Sequence, residues 1–361
     1  TTNSIQEISN ADVIFVIGAN VTESHPIIGL EIKKALRNGK TLIVADTRKV
    51  WLAKKAQTFL NLQPGTDASL VNAIISVIIK EKLHDEKYIE KRTDKFKTLN
   101  SAITKNDISK AVKLTGVSQD AIEEAARIYA NAENAIILYG NGITQHRSGN
   151  DNVKSLVNLA LLTGNVGKEC SGIYPLMGQN NGQGAFNMGA LPDFYTDSQP
   201  VSDINVRKKL EKIYKTKLSK NKGLQIREMF DAASKGKVKA MYVMGADPVM
   251  SEPDTTKVKK ALSKLDFLVV QDIFMSNTAQ YADVVLPAAC FAEKDGTFTN
   301  LERRVQRIRK TVKPPGEAKA DWNIISELST CMGSPMNYSS PEAIWEEIRK
   351  VSPNFAGINY Q

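Results

Sequence analysis

Five unbroken apolar residues, Val13-Ile14-Phe15-Val16-Ile17, run straight into Gly18-Ala19-Asn20, and from Ile28 to Arg37 apolar positions then recur every three or four residues. A short apolar run closed by turn residues predicts a strand buried on both faces, and the longer period predicts a helix with one buried stripe. The same reading places strands at Thr41–Ala45 and Ala135–Tyr139 and helices at Ala68–Lys80, Ser118–Ala130 and Val153–Leu162. Strands that alternate with helices predict a parallel sheet with right-handed crossovers. A Gly- and Asn-rich stretch, Gly178–Gly189, interrupts the alternation and is followed by a charged helical region over Val206–Lys222. A second alternation opens near Lys239 with Ala240–Met244, Thr255–Lys264, Phe267–Gln271 and Asp283–Leu286, and helical patterns at Trp322–Met332 and Pro341–Val351 close the chain.

The two alternations begin alike. Val16-Ile17-Gly18-Ala19-Asn20 returns as Val243-Met244-Gly245-Ala246-Asp247, and each copy leads, after a nearly equal interval, to a second apolar strand ending on an acid, Asp46 or Asp272. In an open parallel sheet, ligands lie beyond the carboxyl ends of the strands, where a glycine admits close backbone approach and a carboxylate further on accepts from ribose or base. The expected fold is therefore α/β, two doubly wound parallel-sheet (Rossmann-like) units facing each other across a cofactor cleft, with one dinucleotide-binding unit over 1–177 and another over 178–361.

Composition narrows the partners. At 361 residues, 42% hydrophobic and 24% charged, the chain is long enough for two cored domains. Net charge of +9 fits an anionic partner. The lysine-rich stretches carry no interleaved aromatic platform, so nucleic acid is not expected. Cys170, Cys290 and Cys331 form no C-x-x-C pair, which points to a reducing, cytoplasmic setting without disulfides. His25, His84 and His146 are unclustered, so no metal site built on protein ligands is expected and capping or surface roles are assigned to them. No apolar run approaches the roughly 18 residues of a membrane span. A start on Thr1-Thr2-Asn3, without Met, is expected of a piece of something longer.

Gly178-Gln179-Asn180-Asn181-Gly182-Gln183-Gly184-Ala185-Phe186-Asn187-Met188-Gly189 places five carboxamides within ten residues, donors and acceptors without charge that suit a heteroatom-rich ligand such as a pterin. Further on, Glu293-Lys294-Asp295-Gly296-Thr297-Phe298-Thr299-Asn300-Leu301-Glu302-Arg303-Arg304-Val305-Gln306 resembles the signature of the molybdopterin oxidoreductases, the superfamily of dimethyl sulfoxide reductase, nitrate reductase and formate dehydrogenase. Val269–Phe274, Tyr281–Pro287 and Leu162–Lys168 are similar to that family as well, and Gly178–Asp193 looks most like its formate dehydrogenase branch, the catalytic alpha subunit. The resemblance runs from Ala11 to about Gly357.

The resemblance implies two molybdopterin guanine dinucleotides whose dithiolene sulfurs hold one molybdenum or tungsten. By motif position, Asn20, Asp46, Arg48, Gly65, Gly140 and Gly142 would hold one; Gln179, Gly245, Asp247, Gln271, Asp272 and Asp321 would hold the other; Gln145 would lie near the pterins. The family's iron–sulfur segment, a [4Fe-4S] site, and the Cys or selenocysteine that ligates the metal match nothing in these residues, nor does its closing β-barrel-like domain. The 361 residues alone are therefore expected to be inactive, as the middle of a subunit that passes electrons to an iron–sulfur partner. Where the formate dehydrogenases carry an Arg beside the metal, this chain has Met177, and a thioether cannot pair with a carboxylate.

Three functions remain open at this point. The first is a formate dehydrogenase-like oxidoreductase core, the second a family member acting on a small molecule other than formate. The third is a non-catalytic scaffold related to the large subunit of NADH–quinone oxidoreductase. An NAD-dependent dehydrogenase is disfavoured because Gly18-Ala19-Asn20 is not G-x-G-x-x-G.

Overall fold

The computed structural model describes residues 1–103 and 107–360. It divides into two units, Thr1–Gly182 with Asn300–Arg304, and Gln183–Thr299 with Val305–Gln361.

In the first unit a 3-10 turn at Ile5–Asn10 leads to β1 (Val13–Ile17), α1 (Val21–Ser24), α2 (Pro26–Arg37), β2 (Thr41–Ala45), β3 (Thr58–Leu60) and α3 (Asp67–Lys80). Then come α4 (Glu86–Arg92), α5 (Phe96–Ile103), α6 (Ile108–Thr115), α7 (Gln119–Ala130), β4 (Ala135–Tyr139), α8 (Asn141–Thr144), α9 (Gly149–Leu162) and β5 (Gly172–Pro175). The strands pair in parallel in the order β3-β2-β1-β4-β5. Winding thus proceeds outward from β1 to β3 and then reverses through β4, and the reversal leaves a crevice between the ends of β1 and β4.

Alternate residues of β1 feed two cores. Phe15 and Ile17 pack with Leu70, Ile74 and Ile78 of α3 and Ile122 and Ala126 of α7; Ile14 and Val16 pack with Ile28 and Ile32 of α2. Because both faces are covered, β1 and β4 are buried at every position. Local chemistry sets the helix ends. Pro26 pre-sets the first turn of α2. The Ser118 hydroxyl accepts from the Ala121 N–H at the start of α7, and Gly116, at φ 75°, ends α6.

In the second unit α10 (Gly182–Asn187) straddles the division, and the hairpin of β6 (Phe194–Tyr195) and β7 (Gln199–Pro200) follows. Next are α11 (Ile204–Tyr214), α12 (Ile226–Ser234), β8 (Ala240–Met244), α13 (Pro248–Ser251), α14 (Thr255–Leu262), β9 (Phe267–Asp272) and β10 (Val284–Pro287). An antiparallel pair, β11 (Gly296–Thr299) and β12 (Val305–Ile308), precedes α15 (Asp321–Cys331) and α16 (Pro341–Val351). The parallel sheet here has three strands in the order β10-β9-β8, with α12 and α14 packed on Val243, Leu268 and Val270. Its winding runs one way only, so among the described residues this unit lacks the reversal seen in the first.

Two expectations are corrected. The helix expected over Val206–Lys222 stops at Tyr214, where Lys215 adopts φ 52°. Only Leu210 of α11 is buried, and the lysine-rich sequence beyond Tyr214 offers no apolar stripe to extend it. The Gly- and Asn-rich stretch does form a helix, α10, despite two glycines in its six residues.

Candidate dinucleotide sites

A cavity of about 630 Å3 occupies the crevice at the reversal point of the first sheet. Asn20, Asp46, Arg48, Gly65, Gly140 and Gly142, the six residues expected to act together, all line it. They arrive from four separate loops, those after β1, β2, β3 and β4.

Glycine permits the loops to meet. Gly18 sits at φ 58° and its carbonyl accepts from the Gly142 N–H at 3.0 Å. A methyl group at Gly142 would lie 2.7 Å from that carbonyl oxygen, and one at Gly140 would lie 3.0 Å from the Ala19 Cβ. The pair therefore serves contact between the loops. Gly65, at φ 80° with open space around its Cβ position, serves a turn.

Asp46 is buried at the end of β2, and one oxygen accepts from the Arg48 N–H at 2.9 Å. Asn61 Nδ2 donates to the carbonyls of Asp46 and Thr47 and fixes the loop that carries them. Sequence reasoning passed over Asp67, which lines the same cavity at the start of α3 and is only 5% exposed. Burial raises its carboxyl above the usual range; its own N–H and His146 oppose this, and Asp46 adds to it. A carboxyl with a raised folded pKa costs stability at neutral pH, and the cost disappears as pH falls through the folded pKa toward the unfolded one. Asp67→Asn is thus expected to raise the thermal midpoint at pH 7, with the gain shrinking as the buffer approaches the carboxylate range. An unchanged midpoint at pH 7 would contradict the assignment.

The second unit repeats the backbone pattern of the first edge. Gly18 N–H donates to Ala45 O at 3.0 Å, and Gly245 N–H donates to Gln271 O at 2.9 Å. Gly245 is at φ 60°, close to Gly18. Asn20 and Asp247 then each cap a one-turn helix, α1 and α13, with ψ of 74° and 77°. β1 pairs β2 over five positions in the register in which β8 pairs β9.

Side-chain roles diverge between the copies. Asp247 accepts from the Asn277 N–H, Asn277 Nδ2, the Thr278 N–H and the Thr278 hydroxyl, so its carboxylate is occupied by the turn after β9. Burial alone would raise this carboxyl, but the bonds from Thr278 and Asn277 outweigh it and hold it low. Asp272 accepts from the Ile273 N–H at 2.7 Å. Gln271, fully buried, accepts from the Tyr242 hydroxyl and donates to Asp321 at 2.6 Å, and the other Asp321 oxygen accepts from Lys294. This relay gives Gln271 and Asp321 each other as partners.

The Glu293–Gln306 segment is the β11–β12 hairpin. Its tip, Asn300–Arg304, belongs to the first unit: Leu301 packs in the β1/α2 core, and Glu302 accepts from the Ile5 N–H at 2.7 Å. Asn300 Oδ1 accepts from the N–H groups of Glu302 and Arg304, which shapes the turn.

A family model described as Molybdopterin oxidoreductase matches residues 1–331. The chain belongs to the molybdopterin oxidoreductase family. Among curated relatives of the family it is 51% identical to the F420-dependent formate dehydrogenase subunit alpha of Methanocaldococcus jannaschii over 362 residues, covering 100% of this chain and 53% of that protein. To formate dehydrogenase H of Escherichia coli it is 42% identical over 360 residues, covering 99% of this chain and 50% of that protein. The chain spans about half the length of the curated relatives it matches. Acetylene hydratase from Pelobacter acetylenicus shares the fold, with a TM-score of 0.75 at 24% identity over 97% of this chain and 51% of that one.

Of the residues expected at this cofactor or near the pterins, Gln145 alone lies outside the lining, and those expected at the other cofactor, Gln179 included, lie outside it too. Gln145 is exposed and caps α8, while its neighbour His146 enters the lining; Gln179 is exposed just past Gly178, which also lines it. His25, assigned above to a capping or surface role, caps α2 and also lines the cavity. Met177 is half-buried, and its Cε lies 2.9 Å from where a Gly182 Cβ would be. Among the described residues no group of three or more His, Cys, Asp or Glu could hold a metal, and no helix is long and apolar enough to cross a membrane.

Proposed function

We propose that the chain is the cofactor-binding core of a molybdenum- or tungsten-dependent oxidoreductase, holding two molybdopterin guanine dinucleotides and acting in the cytoplasm on formate or CO2. The observation that carries this reading is the repeated edge: β-strand, left-handed Gly, Ala, capping Asn or Asp, single helical turn, and an acid after the neighbouring strand. Names of relatives as formate dehydrogenases, three of them as alpha subunits, support the substrate and a partner that carries electrons onward.

The first cavity suits one dinucleotide. Its size fits such a ligand, its glycines allow backbone approach, and Asp46 offers acceptor oxygens matched to the N1–H and amino group of guanine. Arg48 and the N–H groups of the Gly18–Asn20 and Gly140–Gly142 loops are placed to meet phosphate oxygens. In the second unit Gly245 and Asp272 occupy the matching places, while Asp247 and the Gln271–Asp321 relay hold the loops. When bound, the metal would accept the two electrons of formate oxidation; the residues here bind and orient the cofactor.

Met177 favours the second reading, a family member whose substrate is not formate. The complete protein, purified and analysed for molybdenum, tungsten and pterin, is expected to contain metal with two pterins. If the second reading holds, its formate turnover should fall well below the ~10 per second of an ordinary enzyme, and Met177→Arg at equal metal loading should raise it tenfold or more. A metal-free protein would remove the proposal. Fast formate turnover unimproved by Met177→Arg would remove the role assigned to position 177.

A further inference from the structure

His25 stands at the junction of α1 and α2, and its ring reaches across to the segment leaving β5. Nε2 lies 2.8 Å from the Met177 carbonyl oxygen and Nδ1 lies 2.8 Å from the Ser24 hydroxyl. A carbonyl can only accept, so Nε2 carries the hydrogen, an assignment made from the partner's chemistry. The Ser24 hydroxyl lies 3.0 Å from the Asn20 carbonyl, but that oxygen already receives the N–H groups of Glu23 and Ser24. Its hydrogen therefore goes to Nδ1, and the ring is satisfied at both nitrogens.

From these contacts we infer that His25 is a positioning residue: it clamps the backbone at Met177 to the Asn20 loop and thereby holds the Gly178–Gly182 strap against the dinucleotide cavity. The sheet order makes such a clamp necessary. β1 and β5 are separated by β4, so no ladder hydrogen bond can join the loop after β1 to the strap after β5. Leu176 N–H is held by Tyr139 O at 2.8 Å, the last backbone bond of the strap to the sheet. Past it, Gly182 N–H donates to Gln179 O within the strap, and Gly178 lies on the cavity wall. Met177 is fixed at two points, its carbonyl by His25 and its side chain against Gly182. The strap carries Gln179, Asn180 and Asn181, so the clamp sets the distance between whatever the cavity holds and these three amides.

The inference rests on the dinucleotide reading of the cavity for its ligand, and its test separates the two. His25→Ala and His25→Gln are compared with the unaltered chain by amide hydrogen exchange over 178–182 and by calorimetry with guanosine diphosphate. Losing one hydrogen bond that holds a segment should speed exchange there, and weaken the nucleotide, by about five- to tenfold. His25→Gln, whose amide N–H reaches toward the same carbonyl, should recover most of both. Unchanged exchange at 178–182 in His25→Ala overturns the clamp. If His25→Ala does not fold, the ring nitrogen-15 spectrum of the unaltered chain decides: a protonated Nε2 supports the clamp and an unprotonated Nε2 overturns it. Failure of the unaltered chain to bind the nucleotide sinks the cavity reading, while the exchange comparison still judges His25.

Discussion

Asp247→Ala should lower unfolding stability by about 2–4 kcal/mol and free the turn at Ser276–Thr278. Its carboxylate receives four donors, two of them backbone N–H groups that have no other partner in the turn. Hydrogen bonds to a charged acceptor are worth roughly 1.5–3 kcal/mol each, but four bonds to one group share its charge and do not add. Because the carboxyl is held low in the folded state, its contribution is full above the unfolded pKa and is lost as pH falls through the folded one. Denaturant titration at neutral and acid pH measures this. A loss under about 0.5 kcal/mol at neutral pH, the range of ordinary surface changes, would show that the turn stands without Asp247.

Gly142→Ala should separate the two loops that floor the first cavity, at a cost of about 1–3 kcal/mol. The added methyl would sit 2.7 Å from the Gly18 carbonyl oxygen and 2.8 Å from the Gly18 Cα, both backbone atoms that cannot rotate aside. Relief requires breaking the bond from Gly142 N–H to Gly18 O, and the Asn20 cap moves with it. Gly65→Ala makes the contrast. It has a left-handed φ of 80° and nothing within 4 Å, so it should pay only the conformational term of about 1–2 kcal/mol and leave the loops in place. Thermal unfolding gives the cost, and exchange of the residue-142 amide, the donor to Gly18 O, shows whether the contact has opened. A Gly142→Ala protein with that amide still protected would contradict the close-approach account.

Apolar runs made β1, β2, β4, β8, β9 and β10 legible from sequence; in β1, β2 and β4 burial on both faces accounts for them, whereas β8 and β10 keep apolar residues at positions that are largely exposed. β3 was not legible because Thr58–Leu60 is too short to show a period, and β5 was hidden by Gly172 and Pro175 at its ends. The helices α4, α5 and α6 run only seven or eight residues, too few turns for their apolar period to declare itself.

At the site, residues defined by strand ends were legible: Asn20, Asp46, Gly140 and Gly142 follow apolar runs directly, and all four reach the cavity. Asp67 had a signal, an acid opening a helix straight after Pro64-Gly65-Thr66, but no strand pointed to it. His25 and His146 had none, because a lone histidine reveals its partner only when the chain is folded. The reverse also occurred. Asp247 and Gln271 sit where a ligand contact is expected by position, yet their polar atoms are engaged by Thr278, Asn277, Tyr242 and Asp321.

Titration calorimetry of this chain with guanosine diphosphate and with NAD tests the central claim most directly. The account predicts that the guanine nucleotide binds the first cavity in preference to NAD. It also predicts that Asp46→Ala weakens that binding by about ten- to a hundredfold, as expected when a charged acceptor for base or ribose hydrogens is lost. Tight NAD binding with no heat from guanosine diphosphate at the same concentrations would contradict it.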